Sequence, residues 1–286
     1  ATGAVNGWRN VGGLVGYAET STISQSYATG AVSGHDGIGG LIAQAFFSTI
    51  SQSYATGAVN GNGYVGGLAS IVQYATVNQS YATGAVSGND FVGGLASYNA
   101  GTTISQSYWN TTTSGVTWSD GGGTGLTTAQ FSQNASFTGW DIATAGGSTS
   151  VWRIYEGQTA PLLKVFLTNL TLSATQSTLS TPYNGASPVL SAIANNNAID
   201  PARLLGTGAY INAGTYRNVL STLYSSQQGY DLSVAAGLNT LQITPAPLGI
   251  SGLSAVSRAY NGTSAVTLSG TGRLSGTVYG SDEVIL

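Results

Sequence analysis

The sequence predicts an all-β protein: a right-handed parallel β-solenoid of 27-residue coils with an aromatic cap, followed by small all-β modules of β-grasp or sandwich-like type. Three observations carry that prediction. Tyr27, Tyr54, Tyr81 and Tyr108 recur every 27 residues, and Gly13, Gly40, Gly67 and Gly94 keep the same interval without insertion or deletion. The unit consists of short β-prone runs separated by glycine, with no 3.6-residue apolar period. Beyond residue 167 the repeat stops, and alternating strands with spaced turn signals take its place.

The first element is the repeat. It reads V-G-G-L, a variable stretch, then T-I-S-Q-S-Y-A-T-G-A-V-S-G, as at Thr22 to Gly34. A register without slack requires equivalent positions to stack at about the 4.8 Å strand spacing, one coil per repeat. The columns Leu14, Leu41, Leu68, Leu95 and Ile23, Ile50, Val77, Ile104 then point inward, joined by Val11, Ile38, Val65 and Val92. Gln25, Gln52, Gln79 and Gln106 form an amide ladder, and the tyrosine column stacks on itself. Glycine recurs where tight corners need positive φ or close backbone approach.

Two windows escape the repetition: residues 17 to 21 with 44 to 48, 71 to 75 and 98 to 102, and residues 35 to 37 with 62 to 64 and 89 to 91. These are expected to be the loops of each coil. They carry Tyr17, Phe46, Phe47, Tyr74 and Tyr98, then His35, Tyr64 and Phe91, which makes these eight the candidate ligand-contact residues.

Composition bounds the rest. Only 6% of the 286 residues are charged and 42 are glycine, against roughly 25% charged in an average domain. A hydrophobic share of 42% with 16 tyrosines still supplies enough apolar area for an ordered fold. The net charge of −3, with seven scattered basic residues, leaves no electrostatic footprint for nucleic acid or an anionic membrane. With no cysteine or methionine there are no disulfides, no thiolate nucleophile and none of the usual soft-metal ligands. No signal-like segment opens the chain, and no apolar run approaches the ~18 residues of a membrane span. Ala1 to Val5 aligns with Ala28 to Val32, and Val284-Ile285-Leu286 reads as the middle of a strand, so both ends are expected to continue into further protein.

The V-G-G-L-V-G run at 11 to 16 and its copies resemble the GLUG repeat of bacterial haemagglutinin-like and other exported surface proteins, over residues 1–108. Residues 109–166 follow with Tyr108-Trp109-Asn110-Thr111-Thr112, Gly122-Gly123-Thr124-Gly125-Leu126, Gly139-Trp140-Asp141 and Trp152-Arg153-Ile154. They resemble the tail that closes such arrays in filamentous-haemagglutinin-type adhesins, with Trp109, Trp118, Phe131, Phe137, Trp140 and Trp152 expected to cap the exposed last coil.

Residues 167–246 read as an all-β module with turns expected at Tyr183-Asn184-Gly185, Ala213-Gly214-Thr215-Tyr216 and Gly229-Tyr230-Asp231. With Leu241 to Ala246 this span resembles the MBG-type stalk domain. Residues 247–286, through Arg258-Ala259-Tyr260-Asn261-Gly262-Thr263, resemble the start of a truncated YDG-type module with Asn in place of Asp. The resemblance implies a secreted or bacterial cell-surface location, partners in the form of a surface glycan or protein receptor and other copies or domains of the same long protein, and no cofactor.

Catalysis has little to build on. Asp36 and Asp90 sit two coils apart with Gly63 between, roughly 10 Å by strand spacing, at the edge of an inverting pair. His35 is the single histidine, which excludes a multi-histidine metal site, and Gly121 to Gly125 lacks the lysine of a phosphate loop. No catalytic, cofactor-binding or metal residue is therefore assigned. The expected function is a non-catalytic, adhesive segment of a large surface protein. The alternatives are a purely structural spacer, or a carbohydrate-active or ice-binding β-helix.

Overall fold

The computed structural model describes residues 1–173, 178–188, 200–206, 210–236 and 239–285. They divide into two compact units, residues 1–170 with 225–233, and residues 171–224 with 234–286.

The first unit is a parallel β-solenoid whose coils stack in exact 27-residue register. Five faces run along it. Face I stacks Val5–Asn6 on Val32–Ser33, Val59–Asn60 and Val86–Ser87. Face II stacks Arg9–Gly12, Asp36–Gly39, Gly63–Gly66 and Asp90–Gly93. Face III, the longest, stacks Val15–Glu19, Ile42–Phe46, Ala69–Gln73 and Ala96–Ala100. Face IV stacks Thr22–Ser24, Thr49–Ser51, Thr76–Asn78 and Thr103–Ser105. Face V stacks Tyr27–Ala28, Tyr54–Ala55, Tyr81–Ala82 and Tyr108–Asn110, and gains a fifth strand, Thr124–Leu126.

Each letter of T-I-S-Q-S-Y has a physical duty. Thr and the first Ser alternate outward around the inward Ile50 and Val77, as strand pleating requires. The Gln residues turn the corner in left-handed conformation, φ 44° to 48°, and pass a hydrogen bond up the stack from Gln25 to Gln52 and from Gln52 to Gln79, each at 3.3 Å. The second Ser is buried at Ser53 and Ser80. Its hydroxyl accepts the backbone N–H of the serine one coil away and donates to the carbonyl two residues back, so buried backbone groups stay paired. Tyr27, Tyr54 and Tyr81 then stack on one another on the outer side of face V, while the next residue of each strand, Ala28, Ala55 and Ala82, faces the core.

The expected inward columns form the core in the middle coils: Leu41, Leu68 and Leu95 with Ile42, Ile50, Val72 and Val77 in one cluster, and Val11, Ile38, Val65 and Val92 with the face I valines in another; in the outer coils Ile23 and Ile104 are only partly buried and Leu14 is exposed. At Gly40 and Gly67 the need is close approach. A Cβ on either would fall onto the carbonyl oxygen of the glycine one coil away. Positive φ, expected to coincide with glycine, is instead carried mostly by other residues in this unit.

The variable windows are mostly strand: Tyr17, Phe46 and Tyr98 lie on face III, while Tyr64 and Phe91 lie within face II strands. Variation marked the outward positions of a pleated strand, which do not feed the core, and it did not mark loops. Phe47, Tyr74 and His35 do lie between strands. Trp118, expected in the cap, is 55% exposed. Trp109 and Val116 close the end of the two core clusters, while Phe131, Phe137, Trp140 and Trp152 cover the flank where the tyrosines stack. A short helix, Thr128–Phe131, brings Phe131 there and begins with a capping box between Thr127 and Gln130.

Residues 225–233 fold with this first unit. Asp231 is fully buried and pairs with Arg153 at 3.2 Å and Lys164 at 3.0 Å. The Gln227 amide bonds both backbone groups of Leu163 and accepts the Tyr54 hydroxyl, and Gln228 donates to the Tyr27 hydroxyl.

The second unit is all-β. Thr178–Pro182 runs parallel to Thr240–Thr244, which pairs antiparallel with Gly214–Arg217, and a separate hairpin joins Gly249–Ala255 to Leu268–Ser275. Gly214, Thr215 and Tyr216, expected in a turn, are strand because their backbone pairs with residues 241–243. Val284 and Ile285, expected in a strand, have no strand pairing, and Leu286 lies outside the described residues.

Candidate functional site

Two rows of left-handed positions run along the coils beside face III. One lies inside the face II strands, at residues 10, 37, 64 and 91, which are Asn, Gly, Tyr and Phe; the other turns the corner just past face III, at residues 20, 47, 74 and 101, which are Thr, Phe, Tyr and Gly. Positive φ is intrinsically costly for any residue with a Cβ, about 1–2 kcal/mol, and bulky side chains rarely adopt it. Four of these eight positions nevertheless hold an aromatic ring.

The rings sort into two clusters of the same design. Phe47 stacks on Tyr74, centroids 5.2 Å apart and planes at 12°, with Phe46 standing at 73° to both. Tyr64 stacks on Phe91, 4.6 Å apart at 3°, with Tyr98 at 83° to Tyr64. The third ring of each cluster, Phe46 or Tyr98, belongs to a face III strand, so both clusters lean onto that face. Phe47 and Tyr74 are 57% and 58% exposed and Phe91 49%, unlike the tyrosines buried under the cap.

Between the clusters the outward positions of face III read Tyr17, Gln44, Ile71, Tyr98 and Glu19, Phe46, Gln73, Ala100. Gln44 donates to Asn10 Oδ1 at 2.9 Å. Glu19, in the first coil, is the one charge in these two columns. Desolvation, then the nearby Glu19 carboxylate to which the phenol donates, raise the Tyr17 pKa above its ordinary value.

Of the eight residues singled out by sequence, six therefore form the two clusters, and Tyr17 sits on the same face. His35 stands apart. It stacks on Trp8, centroids 4.5 Å apart, where the two coils place positions 27 residues from one another. Sequence reasoning passed over Trp8, although alignment to His35 in the repeat was the available signal. It also passed over the outward threonine row of face IV, Thr22, Thr49, Thr76 and Thr103.

The carboxylates behave as the register requires: Asp36 and Asp90 flank Gly63 on face II, and Asp36 lies 3.7 Å from the Arg9 guanidinium. Among the described residues no group of three His, Cys, Asp or Glu side chains is placed to hold a metal ion, and no helix is long and apolar enough to cross a membrane.

This architecture is that of a parallel β-solenoid repeat protein. The profile of the GLUG motif matches residues 9–33, and residues 36–60 and 63–87 stack on that segment in register. No curated protein and no solved structure matches the chain.

Proposed function

We propose that this chain is a non-catalytic segment of a secreted bacterial surface protein of adhesin type, in which the GLUG-type solenoid presents face III to whatever the cell attaches to and the following all-β modules serve as stalk. The observation that carries this reading is the pair of aromatic stacks at left-handed backbone positions. The same positions hold Asn10, Gly37, Thr20 and Gly101 in other coils, so the coil forms without a ring there. Rings kept exposed at backbone positions that resist them are explained by contact with something outside the chain. Many modest contacts over a broad face, repeated along a surface, add through multivalency.

The test is retention of the folded protein on surfaces coated with glycans or matrix proteins, compared with variants Tyr74→Gly and Phe91→Gly. Binding that falls in the variants supports attachment through face III. A well-folded protein that binds nothing is a spacer, and turnover of any polysaccharide overturns both readings.

A further inference from the structure

We propose that face III binds an uncharged, extended glycan long enough to span both aromatic clusters. This rests on the adhesion reading above and names its ligand class. Three features argue for it.

The first is duplication. Each cluster combines two stacked rings with a third turned nearly perpendicular, so each offers ring faces and edges to one ligand unit. Two recognition points of like design suit a ligand that repeats its own chemistry, as a polysaccharide does. Pyranose rings present apolar C–H surfaces that pack on aromatic rings.

The second is spacing. Phe46 and Tyr98 stand two residues apart along the strand direction and two coils apart across it. From ordinary strand rise and strand spacing their backbones are on the order of 12 Å apart. A single sugar ring does not reach across, whereas a short oligosaccharide does.

The third is electrostatics. The columns between the clusters carry the Gln44 and Gln73 amides, with Glu19 at the far end and no cation. Amides pair with hydroxyls of either donor sense, but a polyanion would find no charge partner there. A neutral glycan fits, and an acidic one does not.

The experiment uses the full chain in affinity electrophoresis and bead retention against neutral polysaccharides (cellulose, xylan, mannan, β-1,3-glucan), acidic ones (alginate, hyaluronan) and immobilised matrix proteins. Folding of each variant is verified by circular dichroism and cooperative melting. The expected result is retention by at least one neutral polysaccharide, unchanged by added salt because no counterions are released. Tyr74→Gly and Phe91→Gly should each weaken it roughly three- to tenfold, the value of one aromatic contact. Monosaccharides should compete at least about 100-fold less well than oligosaccharides that bridge the clusters.

Binding confined to acidic glycans, or to protein surfaces through the same rings, overturns the ligand class and leaves the adhesion reading standing. Equal competition by monosaccharide overturns the bridging geometry. No retention of the folded protein by any surface overturns both.

Discussion

Tyr54 and Tyr81 lie face to face inside the first unit, ring centroids 4.8 Å apart and planes 1° from parallel. The Tyr54 hydroxyl donates to Gln227 Oε1 at 2.9 Å and the Tyr81 hydroxyl to the Pro161 carbonyl at 2.7 Å. Burial, and for Tyr54 also its two neighbouring tyrosines, pushes both phenols well above their ordinary range. The column is thus at once a packing device and a place where protons are held.

A pH dependence follows with a definite sign. A phenol whose folded pKa is raised binds its proton more tightly in the folded than in the unfolded chain. Its contribution is complete below the unfolded pKa of about 10 and is lost as pH climbs from there toward the folded value. Melting temperature should not fall on account of these phenols from neutral pH to about 9, and should drop above 10. Tyr81→Phe should flatten that drop. Phenolate absorbance should show part of the 16 tyrosines ionising only together with unfolding. Free titration of all of them near 10 with the far-ultraviolet spectrum intact would contradict the buried column.

Gly40→Ala should be severe. The added Cβ meets the Gly67 carbonyl oxygen, a backbone atom fixed by the stack of coils, so relief requires moving a whole strand. A loss of about 3 kcal/mol or more in urea unfolding is expected. Gly3→Ala, where a Cβ meets nothing, is the control and should be nearly neutral.

The contrast between these two glycines shows what was legible in the sequence. Period, inward columns and corner glycines were readable because every coil solves the same problem with the same residue. The amide ladder of Gln25 to Gln106 was readable for the same reason. The face III site was half readable. Variation at 46, 47, 64, 74, 91 and 98 marked residues free of the core, but the strand there is set by backbone stacking with neighbouring coils, which side-chain variation does not report. The left-handed corners were hidden because Phe47 and Tyr74 occupy a conformation that glycine usually announces. The docking of residues 225–233 was invisible, since Asp231 meets Arg153 and Lys164 across long stretches of non-repeating sequence.

Asp231 gives the third prediction. Its carboxylate is fully buried and faces two cations that are nearly as buried, so Asp231→Asn leaves both without their counter-charge at almost unchanged volume. Breaking such a cluster costs about 3–5 kcal/mol, far more than a surface pair. Residues 225–233 should become open to limited proteolysis, and the hydroxyls of Tyr27 and Tyr54 should lose their glutamine partners. An unchanged melting temperature would mean that residues 225–233 are held by apolar contacts alone.

The exposed rings should respond far more weakly to substitution than the core. At Tyr74 two terms compete: losing the stack on Phe47 removes about 0.5–1.5 kcal/mol, while glycine at φ 50° relieves about 1–2 kcal/mol. The terms nearly cancel, so Tyr74→Gly should leave stability within about 1 kcal/mol of the parent. Ile50→Ala, one column inward and fully buried, should lose about 2–5 kcal/mol in the same denaturation series. The corner column itself supports this expectation, since Thr20 and Gly101 close equivalent turns without any ring. A loss at Tyr74 as large as the loss at Ile50 would make the aromatic corners part of what holds the coil together, and would remove the reason for assigning them to a ligand.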